Sequence, residues 1–146
     1  MTIASQEPHR VVIVGAGFGG LQAAFDLAGT PVKITVIDRR NHHLFQPLLY
    51  QVATASLATS EIAWPIRFLL RGRPEVTTLF ANVGGVDAAG KRVLLDDGDT
   101  VPYDTLILAT GARHAYFGHD EWEPFAPGLK TLEDATTLRR RILVAF

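Results

Sequence analysis

Apolar residues in this chain fall into two patterns: unbroken β-branched runs, and runs spaced for one face of a helix. Val11-Val12-Ile13-Val14 is a continuous β-branched run that stops at Gly15. A run that is polar on neither face predicts a central strand of a parallel sheet, covered on both sides. Gly15-Ala16-Gly17-Phe18-Gly19-Gly20 follows, and Leu21–Ala28, rich in Leu and Ala, predicts a helix. Gly29-Thr30-Pro31 ends it, because proline cannot continue the helical ladder and glycine tolerates a left-handed cap. Val32–Ile37 sets β-branched residues around Lys33 and Thr35 and predicts a second strand, closed by Asp38. Strand, helix and strand thus follow one another in about thirty residues. A parallel pair joined this way has a right-handed crossover.

Arg39–Ser60 shows weak periodicity and reads as a long ordered loop with room for one helical turn. Loops of that length are often functional. Ile62, Ile66, Leu69 and Leu70 fall on one helical face, with Pro65 tolerable only near the start and Gly72 and Pro74 closing the helix. Val76–Ala81 predicts a third strand. Val83–Val86, Lys91–Leu95 and Thr100–Tyr103 are short runs separated by Asp87-Ala88-Ala89-Gly90 and Asp96-Asp97-Gly98-Asp99, which predicts a small antiparallel meander. Thr105–Leu108 is another buried strand, ending in Ala109-Thr110-Gly111. Ala112–Lys130 is an irregular connection beneath which Phe117, Trp122 and Phe125 are expected to pack. Thr131-Leu132-Glu133-Asp134 matches a capping box, and Leu138, Ile142 and Leu143 continue an amphipathic helix to the last residue. Its apolar stripe has no partner downstream, which reads as a truncation. The alternation of elements predicts an α/β fold: a Rossmann-like doubly wound parallel sheet with a small antiparallel meander inserted at about residues 83–103.

Composition narrows the function. With 146 residues, of which 47% are hydrophobic, the chain has the length of one ordinary domain. A net charge of -1 gives no electrostatic attraction to nucleic acid or to an anionic membrane surface. The absence of cysteine removes a disulfide framework, a thiolate metal site, a cysteine nucleophile and a dithiol redox pair within this stretch. Met1–Arg10 contains no apolar run of the kind a secretory signal needs, and no segment is long and apolar enough to span a bilayer. A cytoplasmic location is the expectation.

The glycine run carries the first chemical signal. Gly15 permits a tight strand-to-helix turn, Gly17 lets backbone approach a pyrophosphate, and Gly20 lets the helix pack close to the strand. The helix N-terminus presents N–H groups and the positive end of its dipole to phosphates. Asp38 ends the second strand near the roughly 20-residue offset of a ribose-binding carboxylate. Such a carboxylate repels a 2′-phosphate and disfavours NADP, whereas Arg39 and Arg40 either could hold that phosphate or are solvated or stacked near the adenine. Metal binding is not indicated. His42 and His43 are adjacent and point in different directions, His114 and His119 lack paired ligands, and Asp96, Asp97 and Asp99 lack the closing glutamate of a calcium loop.

Ala109-Thr110-Gly111 resembles the strand end at which two-dinucleotide flavoproteins bring backbone beside FAD, with Gly111 offering no Cβ to obstruct it. An ordinary glycine ending a buried strand is the alternative. Taken with Val11–Gly20, Asp38, Asn41-His42-His43-Leu44-Phe45-Gln46-Pro47-Leu48-Leu49-Tyr50-Gln51-Val52-Ala53-Thr54 and Ile62-Ala63-Trp64-Pro65-Ile66-Arg67, the chain resembles the N-terminal third of type II (non-proton-pumping) NADH:quinone oxidoreductases. The run Phe45–Thr54 is the most specific part, although Gln51 stands where that family often has glutamate.

The resemblance implies that Gly15–Gly20 and Asp38 bind FAD and that Phe45–Thr54 lies against the isoalloxazine ring. The implied cofactor-binding residues are Gly15, Ala16, Gly17, Phe18, Gly19, Gly20, Asp38, Arg39, Gln46, Pro47, Leu48, Val83, Ala109, Thr110 and Gly111, with no catalytic side chain and no metal ligand. It divides the chain into an FAD-binding portion, 1–130, and a helix, 131–146, leading toward an NADH-binding domain outside this stretch. Implied partners are NADH and quinone, with no nucleic acid, membrane contact only through a C-terminal part absent here, and a homodimer as a compatible assembly. The intact enzyme would then sit peripherally on the inner face of the cell membrane, passing hydride from NADH to FAD and electrons on to quinone. The fragment alone is expected to be inactive. Two other readings stay open: another FAD-dependent pyridine-nucleotide reductase, and a non-catalytic dinucleotide-binding module. Disulfide reductases are removed by the missing cysteines.

Overall fold

The computed structural model of the chain describes residues 7–146. Met1–Gln6, the larger part of the leader read as lacking a secretory signal, lies outside the described residues. In chain order the elements are β1 (His9–Val14), α1 (Phe18–Asp26), β2 (Val32–Asp38), β3 (His42–Leu44), α2 (Leu49–Ala53), β4 (Ala63–Pro65), α3 (Ile66–Leu69), β5 (Val76–Phe80), β6 (Val83–Asp87), β7 (Arg92–Leu95), β8 (Thr100–Pro102), β9 (Thr105–Leu108) and α4 (Leu132–Val144). Short 3₁₀ turns occupy Gln46–Leu48, Thr59–Glu61 and Asp120–Trp122. The elements form two units: residues up to Asn41 together with Ile66–Thr110, and His42–Pro65 together with Gly111–Phe146.

The first unit is built on a four-stranded sheet in the order β5-β2-β1-β9, with every neighbouring pair parallel. This matches the 3-2-1-4 portion of the strand order of a doubly wound fold. Alternation along β1 explains why its run Val11–Val14 is apolar throughout. Val11 and Ile13 pack on one face with Leu21 and Ala24 of α1, Ile34 and Val36 of β2, and Ile66 and Leu70. Val12 and Val14 pack on the other with Ile37, Val93, Leu95 and Tyr103. The second face is therefore covered by the antiparallel β6-β7-β8 meander, not by a helix. Arg10, at the start of β1, clamps Asp104 just before β9: Nη2 donates to Oδ1 at 2.9 Å and the backbone N–H to Oδ2 at 2.8 Å. The guanidinium hydrogen bond holds the Asp104 carboxyl far below the usual carboxylate range.

The second unit contains the β3–β4 antiparallel pair and a helical cluster in which Leu49, Val52 and Ala53 of α2 and Ile62 pack with Ala135 of α4. α4 opens on the expected capping box. The Thr131 hydroxyl accepts from the Asp134 N–H at 3.1 Å, and Asp134 Oδ2 accepts from the Thr131 N–H at 2.8 Å.

Several sequence expectations need correction. Arg39–Ser60 is not a loop with one turn: it holds β3, a 3₁₀ turn and α2. These are too short to generate a readable period. The helix after Pro65 spans only Ile66–Leu69, and Ile62 belongs to a different apolar cluster from Ile66 and Leu70. α1 begins at Phe18, three residues earlier than its Leu/Ala content suggested, so Gly19 and Gly20 lie within its first turn. Phe117 and Phe125 do not pack beneath their connection; they are 92% and 88% exposed, and Trp122 is 49% exposed. The stripe of α4 is partly covered: Leu138 joins the α2 cluster, while Ile142 and Leu143 are exposed. Among the described residues, no helix is long and apolar enough to cross a membrane.

Candidate dinucleotide-binding site

The turn from β1 into α1 is shaped by two glycines. Gly15 has φ +102°, a left-handed conformation that L side chains rarely adopt, and a Cβ there would strike the Ala109 carbonyl oxygen. At Gly20, in the first turn of α1, a Cβ would overlap the Gly15 carbonyl oxygen and lie 3.3 Å from Ile13 Cγ2. The helix can approach the strand only because that Cβ is missing. Gly17 is different, for a Cβ built there meets nothing within 4 Å. Its backbone faces open space at the N-cap of a nine-residue helix with no side-chain cap and no acidic residue in its first turn. A phosphate fits there, because helix N-termini favour negative charge and present N–H donors.

Asp38 sits beside this turn at the end of β2. Its Oδ2 accepts from the Ala16 N–H at 2.6 Å and its Oδ1 from the Arg40 N–H at 2.7 Å, while the Gly15 N–H donates to the Ile37 carbonyl at 2.8 Å. The first unit thus brings together Gly15–Gly20, Asp38, Arg39, Val83 and Ala109-Thr110 at one end of its sheet. Gln46, Pro47 and Leu48 form a 3₁₀ turn of the second unit, to which Gly111, at φ +73°, also belongs.

One feature of the site was not legible in the sequence. Arg39, Phe80, Ala81, Asn82, Asp96 and Asp97 line an open cleft of about 250 Å³. It adjoins Asp38, whose carbonyl accepts from the Ala81 N–H at 3.1 Å. The sequence places Asp96 and Asp97 in a turn of the meander and Phe80 inside the strand expected over Val76–Ala81. The only available signal was that a large aromatic closes a strand just before a turn-rich segment.

A parallel sheet in this order, with a glycine turn opening onto a helix N-terminus and a carboxylate closing the next strand, defines a nucleotide-binding α/β protein. Residues 9–143 match the family described as pyridine nucleotide-disulphide oxidoreductase, and the chain belongs to that family. It is 49% identical over its whole length to the type II NADH:quinone oxidoreductase NdhA of Mycobacterium tuberculosis, covering 33% of that protein. It is 52% identical, over 94% of its length, to the type II NADH:quinone oxidoreductase Ndh of the same organism, covering 30% of it. The structure of NDH2 from Plasmodium falciparum in complex with NADH superposes with a TM-score of 0.84 at 24% identity, covering 94% of this chain and 29% of that one. The chain therefore spans about a third of the length of these relatives.

Proposed function

We propose that residues 1–130 are the FAD-binding portion of a type II NADH:quinone oxidoreductase, and that 131–146 lead toward its NADH-binding domain. Identity near one half to two enzymes of that name, across essentially the whole chain, is the observation that carries the reading. In it, the open face of Gly17 and the first turn of α1 take the pyrophosphate of FAD, and Ala16, Phe18 and Gly19 complete that turn. Asp38 orients the adenosine ribose, with Arg39 and Val83 toward the adenine end. Ala109-Thr110-Gly111 passes beside the cofactor, and Gln46, Pro47 and Leu48 meet the isoalloxazine ring. FAD, when bound, supplies two-electron transfer from a nicotinamide to a quinone. The chain's own residues bind and orient; none is assigned to hold or move a proton. NADH and quinone are the partners of the longer enzyme, which would lie peripherally on the inner face of the membrane and could pair as a homodimer.

The test is to purify the chain and identify the chromophore released on denaturation. Recovery of FAD supports the reading, and a chain that binds NAD but no flavin overturns it. Steady-state quinone reduction by the 146-residue chain alone is expected to stay well below about 1 per second, the low end of ordinary turnover.

A further inference from the structure

The cleft beside Asp38 has an unusual lining. Phe80, on its wall, is 65% exposed. Arg39 and Asp96 carry opposite charges on the same cleft, yet no ion pair engages either one among the described residues. The Asp97 carboxylate is partly used, accepting from the Asp99 N–H at 3.0 Å. The Asp96 carboxylate accepts no hydrogen bond among the described residues. Its backbone N–H donates to the Asn82 carbonyl at 3.1 Å, and its Oδ1 lies over Gly84, where any Cβ would strike it.

An aromatic face, a guanidinium and a carboxylate with spare acceptor capacity suit a planar heteroaromatic base that carries an exocyclic amino group. The volume is just under the roughly 300 Å³ at which drug-sized pockets begin, so it suits one base and not a whole dinucleotide. We propose that Asp96 determines base specificity, accepting a hydrogen bond from the adenine amino group of the dinucleotide while the base lies against Phe80 and Arg39. This inference rests on the reading that the adenosine ribose is held at Asp38. A base with a keto oxygen in place of the amino group would set two acceptors against each other, and the site would reject it.

The test titrates the full chain with FAD and with flavin hypoxanthine dinucleotide, in which that amino group is replaced by a keto oxygen, following flavin fluorescence. Wild type should prefer FAD by about tenfold. Asp96→Asn should bring the two affinities within about twofold, because its amide can donate to the keto oxygen. Asp97→Asn should keep the tenfold preference. Asp96→Ser, which cannot present a carboxylate either, replaces Asp96→Asn should thermal melting show the latter unfolded. Equal affinities in wild type, or a preference undiminished in the folded Asp96 variant, overturn the inference while leaving the FAD reading intact. A wild-type chain that binds neither flavin dinucleotide overturns both.

Discussion

Replacing Gly20 by Ala tests how the glycine turn is built. A Cβ at this position overlaps the Gly15 carbonyl oxygen and sits 3.3 Å from Ile13 Cγ2. Neither obstacle can rotate away: one is backbone, and the other belongs to a fully buried side chain in the sheet. The first turn of α1 must therefore back away from β1, and overpacking of this sort costs about 1–3 kcal/mol. Against it stands the helix preference for Ala over Gly, at most about 1 kcal/mol and less in a first turn. The overlap wins, and Gly20→Ala should destabilise by about 1–2 kcal/mol. Gly19→Ala is the internal control, since its Cβ would find only Ala109 Cβ at 4.0 Å, an ordinary contact. That variant should be neutral or slightly more stable. Urea unfolding followed by circular dichroism gives both values at constant m. A Gly20→Ala variant as stable as Gly19→Ala would refute the close approach of helix and strand.

Three further perturbations follow from the same geometry. Asp38→Ala removes the acceptor of two backbone N–H groups, one belonging to buried Ala16, and should lower stability and weaken flavin binding by about 1.5–3 kcal/mol each; unchanged affinity in a fluorescence titration would place the ribose elsewhere. Thr131→Ala breaks the capping box and should cost about 1 kcal/mol, with hydrogen exchange rising across 131–146 and not in β1 or β2. Asp104 has a carboxyl pKa lowered by Arg10, so its stabilisation is complete above the unfolded carboxylate range near about pH 4 and is lost as pH falls through the folded value. Asp104→Asn should therefore be less stable at neutral pH and lose less further stability on acidification, a difference that parallel melts at neutral and acid pH will read.

The parts of the fold legible in the sequence are those in which one local pattern determines one element. Val11–Val14 of β1 is apolar without a break because both faces of the sheet are covered there, and the two-residue alternation assigns Val11 and Ile13 to one layer and Val12 and Val14 to the other. The capping box of α4 was legible because both of its bonds lie within four residues. Arg39–Ser60 failed because its elements run three to five residues, shorter than one helical repeat can establish, and are stabilised by partners far along the chain, such as Ile62 and Ala135. Ile62 misled for the same reason: it has helical spacing to Ile66 but belongs to another cluster. The cleft was hidden because Arg39, Phe80 and Asp96 come from three separate segments, and only the packing of the meander beside β5 brings them together.

Asp38 shows why the glycine motif and its acid are best read as one device. An ionised carboxylate offers about four lone-pair sites. Two are committed here, to the Ala16 N–H at 2.6 Å within the glycine turn and to the Arg40 N–H at 2.7 Å beyond the strand. The remaining capacity matches the two hydroxyls of an unphosphorylated ribose, whereas a 2′-phosphate would bring negative charge against an anion already fixed in place. The carboxylate that would read the ribose is thus also the one that ties the turn over β1 to the end of β2. Binding at this carboxylate and folding of the turn are then linked: a dinucleotide that binds only the folded turn stabilises it by mass action. Because Gly15 and Gly20 admit no Cβ, little else about the turn can adjust. Asp38→Asn, which keeps an oxygen for the Ala16 N–H but sets its amide NH2 against the Arg40 N–H, should consequently keep only part of the stability that the carboxylate supplies while losing the larger share of the affinity.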